Sequence, residues 1–115
     1  MTSPHTITIE PAPGPVTVAF AGETVADSER PLVLREAGLP PVYYFPPDDV
    51  RAELLSPTDL HTRCPFKGEA SYWTVTVGDQ RADCVVWGYP EPLPGVEEIR
   101  GHLAFFADRV EVTES

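Results

Sequence analysis

Ala70-Ser71-Tyr72-Trp73-Thr74-Val75-Thr76-Val77, then Gly78-Asp79-Gln80, then Arg81-Ala82-Asp83-Cys84-Val85-Val86-Trp87-Gly88-Tyr89, is the stretch that decides the fold. Two runs rich in β-branched and aromatic residues flank a short glycine-bearing turn, which is the pattern of a β-hairpin. Successive strand residues point to opposite faces. Tyr72 therefore sits with Thr74, and Trp73 with Val75 and Val77, which makes Trp73 a core candidate and Tyr72 a cleft or surface candidate. On the second run Val85, Trp87 and Tyr89 share a face opposite Cys84 and Val86. Pairing across the turn brings Tyr72 to the neighbourhood of Val86 to Gly88.

Other short strands surround this hairpin. Val16-Thr17-Val18-Ala19-Phe20 turns at Gly22-Glu23 into Thr24-Val25-Ala26-Asp27, while Leu32 to Glu36 and Val42-Tyr43-Tyr44-Phe45 form two more runs. Leu103-Ala104-Phe105-Phe106 and Val110-Glu111-Val112 read as a closing pair around Asp108-Arg109. Fourteen prolines in 115 residues cluster between these runs, leaving little room for long helices. Residues 46–55 form the best helix candidate, with prolines and acids in the first turn and Val50, Leu54 and Leu55 on one face. A single helical turn is expected at Val96 to Ile99, and His61 to Gly68 reads as irregular. Residues 1–13 are expected to be a loose arm ahead of a single domain over 14–115. The prediction is a mainly β, compact antiparallel domain with one or two short helices.

Eight Lys and Arg against 18 Asp and Glu give a formal charge of -10. Nucleic-acid binding needs a basic stripe to displace phosphate counterions, so that class is excluded, and an anionic membrane surface is disfavoured. No apolar run approaches the ~20 residues of a membrane span, and Met1 to Glu10 have neither the basic start nor the apolar stretch of a secretory signal. The expected location is cytoplasmic. Cys64 and Cys84 are then expected as reduced thiols.

Val42-Tyr43-Tyr44-Phe45-Pro46, Cys64-Pro65-Phe66-Lys67-Gly68-Glu69-Ala70-Ser71-Tyr72-Trp73 and Val86-Trp87-Gly88-Tyr89-Pro90-Glu91-Pro92 together resemble the bacterial family catalogued as domain of unknown function 427. Val25-Ala26-Asp27-Ser28 and Leu103-Ala104-Phe105-Phe106-Ala107-Asp108-Arg109-Val110 are similar to it as well, so the resemblance spans residues 14–113. It implies a β-tent-like fold, two small sheets meeting at an angle over a cleft. Other proteins of that fold hold zinc with four cysteines, whereas this chain has two and no Cys-x-x-Cys pair. The family's catalogue label implies a nucleotidyltransferase-like activity.

Chemistry concentrates in the His61-Thr62-Arg63-Cys64-Pro65-Phe66-Lys67-Gly68 segment. His61-x-x-Cys64 with Cys84 and His102 could supply an N2S2 zinc set, but structural zinc sites use two close pairs and here the second pair is split. No metal and no cofactor is expected. Cys64 as a nucleophile lacks a sequence-evident orienting carboxylate. Asp48-Asp49 could suggest magnesium, but neighbours on a helix point about 100° apart, and first-turn acids suit the helix dipole without a metal. Lys67 next to Gly68 can reach an anionic or carbonyl group, with Glu36 and Asp49 as the acids expected to face it, and such a pair is either a structural ion pair, the favoured reading, or an acid/base couple.

These readings converge on a small-molecule-binding domain. Tyr44, Tyr72, Trp87 and Tyr89 would form aromatic walls, with Cys64 and His61 as further ligand contacts. Lys67, Glu36 and Asp49 would carry any acid/base catalysis on a small flat or anionic ligand. The alternative is a protein-interaction module with an exposed sheet edge and no reaction. Nucleotidyl transfer is weaker, because no phosphate-binding loop is visible. The expected partner is a small molecule, with no nucleic acid and no membrane, and a homodimer fits the same reading.

Overall fold

A computed structural model of the chain describes residues 6–114. The first half contains β1 (Ile7–Pro11), β2 (Val16–Phe20), β3 (Glu23–Ser28), β4 (Leu32–Glu36) and β5 (Val42–Tyr44). The second contains β6 (Leu55–Cys64), β7 (Gly68–Val77), β8 (Gln80–Gly88), β9 (Leu103–Phe105) and β10 (Glu111–Glu114). Every pairing between these strands is antiparallel, in three sheets ordered β1-β4-β5, β10-β2-β3 and β6-β7-β8-β9. The mainly β antiparallel reading therefore holds, with three small sheets in place of two.

The decisive hairpin forms with Tyr72 opposite Trp87, and Trp87 in turn opposite Ala104 of β9. Alternation sends Ala70, Tyr72, Trp87, Tyr89 and Ala104 to one core cluster and Trp73, Val75, Val86 and Phe105 to another. A bulge between Trp73 and Val75 interrupts the rule. There Cys84 takes φ 53°, and its N–H donates to the buried Thr74 hydroxyl at 3.2 Å. The extra residues turn Val85 into the same cluster as Val86, so it does not share a face with Trp87 as strict alternation predicts.

The first and third sheets are joined directly. Phe45 N–H donates to the Leu103 carbonyl at 2.7 Å, Leu103 N–H returns a bond to the Phe45 carbonyl at 2.9 Å, and Phe45 meets Phe105 edge-to-face. The cleft face of the molecule lies between β4–β5 on one side and β7–β8 on the other.

Several expectations change. Residues 46–55 are not an α-helix: two 3-10 turns, Pro47–Asp49 and Ala52–Leu54, flank an extended Val50, and Leu55 already begins β6. The buried, β-branched Val50 bridges to Ala26, and Arg51 N–H bonds the Val25 carbonyl, so pairing with β3 overrides the helical pattern. Val96 to Ile99 contributes only the 3-10 turn Glu97–Ile99. His61 to Cys64 is strand, not irregular loop. A polar edge strand needs only one face covered, and β6 is exposed along most of its length. Residues 7–11 are not loose but paired with β4, with Ile7 and Ile9 turned inward; residues 1–5 lie outside the described residues. The two closing runs do not pair with each other, since β9 joins β8 and β10 joins β2. Among the described residues no helix is long and apolar enough to cross a membrane.

Candidate ligand cleft

Lys67 is set by backbone on both sides. Its N–H donates to the Cys64 carbonyl at 3.3 Å, and its own carbonyl accepts from Leu93 N–H at 2.9 Å. Gly68 follows with φ 115°, and a Cβ there would lie 3.2 Å from the Glu91 carbonyl oxygen. A side chain would be strained and crowded at that point, so glycine lets the 91–93 loop lie against the hairpin. The Lys67 side chain is thereby turned inward.

It ends on Glu36. Lys67 Nζ stands 2.7 Å from Glu36 Oε1, with the two side chains only 11% and 8% exposed. Cys64 Sγ lies 3.7 Å from the same ammonium group. Bringing two charges out of water costs free energy that only close pairing recovers, so each partner depends on the other.

Around this pair lies a cavity of about 240 Å³. Glu36, Tyr44, Lys67, Tyr72, Trp87 and Tyr89 all line it, drawn from both joined sheets and from the β6–β7 turn. Trp87 meets Tyr44 edge-to-face at 6.4 Å and Phe106 at 4.6 Å, and its indole N–H donates to the Tyr44 hydroxyl at 3.3 Å. The Tyr72 hydroxyl is 2.8 Å from Thr62 Oγ1. Burial pushes the Tyr44 phenol up to about 12, against the opposing pull of the Trp87 hydrogen bond and with help from the Glu36 charge. Burial also raises the Tyr89 phenol, as do nearby Tyr44, Cys64, Tyr72 and Glu36. Both phenols stay neutral near pH 7 and keep their protons to donate.

The remaining sequence candidates fall elsewhere. Asp49 is not in the cleft: its Oδ2 accepts from the buried Ser28 hydroxyl at 2.7 Å, tying the 3-10 turn to the end of β3. The same pairing with β3 that unwinds the expected helix takes Asp49 away from Lys67. His61 stands on the exposed face of β6, its Nδ1 3.3 Å from Ser71 Oγ, opposite its strand partner. Cys64 reaches the site through Lys67 and is not itself a wall residue. Sequence reasoning missed Leu34, Val42 and the rim residues Leu39 and Phe106. Alternation after buried Phe105 was the available signal for Phe106.

Three larger cavities carry less chemistry, and one of them, of about 320 Å³, shares Trp87 and Phe106 with the cleft and is otherwise walled by apolar groups and Tyr43. One of about 350 Å³, beside Trp73 and Gly88, is walled largely by prolines and aliphatic groups, with Tyr89 and His102 as its titratable residues. Another of about 370 Å³ runs past Arg63, Glu69 and Glu91, all exposed. Among the described residues no group of three or more His, Cys, Asp or Glu is placed to hold a metal ion.

Fold and cleft define a small antiparallel β domain of three sheets, with a buried Lys–Glu pair at the cleft between two of them. The chain belongs to the family described as Domain of unknown function (DUF427), whose sequence profile matches residues 8–115 and carries a nucleotidyltransferase-style label. Among curated proteins none matches it.

Proposed function

We propose that this domain binds a small molecule in the cleft over Lys67 and Glu36, with acid/base chemistry available at that pair. The observation that carries the reading is the ion pair itself, placed at the wall of an aromatic-lined cavity instead of inside a packed core. An ion pair shielded from water contributes little net stability compared with apolar residues of the same volume. Its position between Trp87, Tyr44, Tyr72 and Tyr89 suits recognition: flat walls on the sides and a donor beside an acceptor. In a reaction, Lys67 would donate a proton to an oxygen or nitrogen of the ligand while Glu36 accepts one. His61 remains a candidate outer contact above β7, and Cys64 acts through its contact with the Lys67 ammonium.

Nucleotidyl transfer fits this cleft poorly. A triphosphate needs several cationic or backbone N–H partners, and among the described residues Lys67 is the one cation lining the cleft, already neutralised by Glu36. An interaction module is the second reading. It is favoured by β6, an edge strand of ten residues carrying Leu60 at 43% exposure.

Native mass spectrometry of freshly purified protein separates the two. A retained small molecule that disappears in Trp87→Ala supports the cleft. Stoichiometric capture of a protein by the wild type, lost on Leu60→Asp and unaffected by Trp87→Ala, would support the edge instead.

A further inference from the structure

We infer that the cleft is the polar end of a two-chamber site for one neutral amphipathic molecule, with a carbonyl oxygen on Lys67 and a slender alkyl tail in the apolar cavity behind Trp87 and Phe106. This rests on the small-molecule reading above and names the class of ligand.

The two cavities share walls. Pro40, Val42, Trp87 and Phe106 line both the cleft of about 240 Å³ and the neighbouring cavity of about 320 Å³. The Trp87 and Phe106 rings, 4.6 Å apart between centroids, stand as a partition, and Pro40 and Val42 continue from one chamber to the other. Alone, the cleft falls below the roughly 300–1,000 Å³ of sites that enclose drug-sized ligands. With its neighbour it comes within that range.

The far chamber has little to offer a polar group. Its walls add Pro41, Phe45, Phe105 and Val112, and among the described residues no charged side chain lines it. Its two polar side-chain atoms are already engaged: the Tyr43 hydroxyl donates to the Glu114 carboxylate, and the Trp87 indole N–H to the Tyr44 hydroxyl. Apolar atoms placed there leave water and cover apolar wall, which raises affinity about three- to fourfold for each methylene buried. The rim carries the same signal. Of the four large hydrophobic side chains exposed among the described residues, Leu39 and Phe106 both stand at the cleft.

The head is set by Lys67. An ammonium group carries three donors. Two are directed at Glu36 Oε1 (2.7 Å) and Cys64 Sγ (3.7 Å), which leaves one for a ligand acceptor. Glu36 already balances the ammonium charge and the whole chain stands at -10, so a carboxylate head gains no net attraction. A neutral carbonyl accepts the remaining N–H without bringing in a further charge.

The test titrates wild-type protein with butanone, 2-hexanone, 2-octanone and octanoate. Two resonances are followed: the Trp87 indole N–H, and the methyls of Val112, which lines the far chamber and not the cleft. All three ketones should shift Trp87, with affinity rising about three- to fourfold per methylene, and Val112 should move with 2-octanone but not with butanone. Ala107→Leu narrows the far chamber at an exposed position, so it should remove most of the gain from chain length and leave butanone binding unchanged. A variant that keeps the full gain would put the tail elsewhere and overturn the proposal. Octanoate binding as tightly as 2-octanone would overturn the neutral head. Affinity that stays flat from butanone to 2-octanone, with Val112 unmoved, would overturn the tail and leave the cleft reading standing. Val112 moving with protein concentration, without ketone, would put a second copy of the chain in the far chamber and also overturn it. If no ketone moves Trp87 the inference falls. If the purified protein also retains no molecule, the cleft reading falls with it.

Discussion

Replacing Lys67 or Glu36 singly, and then both together, tests the ion pair at the centre of the cleft. Both side chains are about nine-tenths shielded, and their charged atoms are 2.7 Å apart. Lys67→Met leaves the Glu36 carboxylate without its ammonium partner, and Glu36→Leu leaves the ammonium without its carboxylate. Removing one member of a buried pair costs about 3–5 kcal/mol, mainly the desolvation of the charge left behind. A chain of 115 residues has roughly 6–17 kcal/mol of stability in total, so each single variant should still fold. The double variant Lys67→Met/Glu36→Leu removes both charges at nearly constant volume and should return to within about 1 kcal/mol of wild type. Urea unfolding followed by circular dichroism and by tryptophan fluorescence gives the cycle, and the coupling energy should exceed about 2 kcal/mol. Two results would refute the reasoning. Single variants costing less than about 1 kcal/mol would mean that water screens the pair. A double variant as unstable as the sum of the singles would mean that the two charges do not depend on each other. The double variant should also bind no probe in the cleft, since stability and recognition are separable at this site.

Tyr44 predicts an alkaline transition. Its phenol rises from 10.0 to about 12 in the folded state, so the stability it contributes is whole below pH 10 and is lost as pH climbs through about 12. The loss from Tyr44 should be on the order of 2–3 kcal/mol, read from urea midpoints as the difference between wild type and Tyr44→Phe across that range, while the raised Tyr89 phenol keeps its own alkaline dependence in both. Gly88→Ala places a Cβ 2.7 Å from the His102 carbonyl oxygen, which is backbone and cannot rotate away. Thermal melts should show a loss of about 3 kcal/mol or more, and an unchanged melting temperature would mean that β8 and β9 are not so close. Ala21 is left-handed (φ 52°) in the two-residue turn between β2 and β3, so Ala21→Asn should raise stability by about 0.5–1 kcal/mol in the same melts. A decrease would place the strain elsewhere.

Short-range patterns were legible because they depend on neighbours in the chain. The hairpin around Gly78-Asp79 and the facing of Tyr72 and Trp73 follow from alternation and turn chemistry, and the structure contains both. Where distant segments compete for a residue, the sequence offers no arbiter. Val50 is helical by its neighbours and extended because Ala26 pairs with it, and Asp49 then bonds Ser28 and leaves the cleft. The joining of Phe45 to Leu103 and of Ile9 to Leu34 spans long loops of chain, so neither the seam between the sheets nor the pairing of residues 7–11 could be read locally. Glu36 and Lys67 meet across 31 positions, and only their chemical types marked them as partners.

The reciprocal hydrogen bonds between Phe45 and Leu103 have a kinetic consequence for whatever enters the cleft. They fasten one wall to the other through backbone, and the Phe45–Phe105 contact backs them, so the walls cannot swing apart as independent bodies. Admission is then governed by the rim, where Leu39 is 58% exposed and Phe106 39%. Exposed side chains change rotamer in picoseconds to nanoseconds, whereas hinged bodies open in microseconds to milliseconds. Encounter should therefore proceed without a slow isomerisation step, with a single observed rate that rises linearly with ligand concentration. Differences in affinity among ligands should reside in how fast they leave.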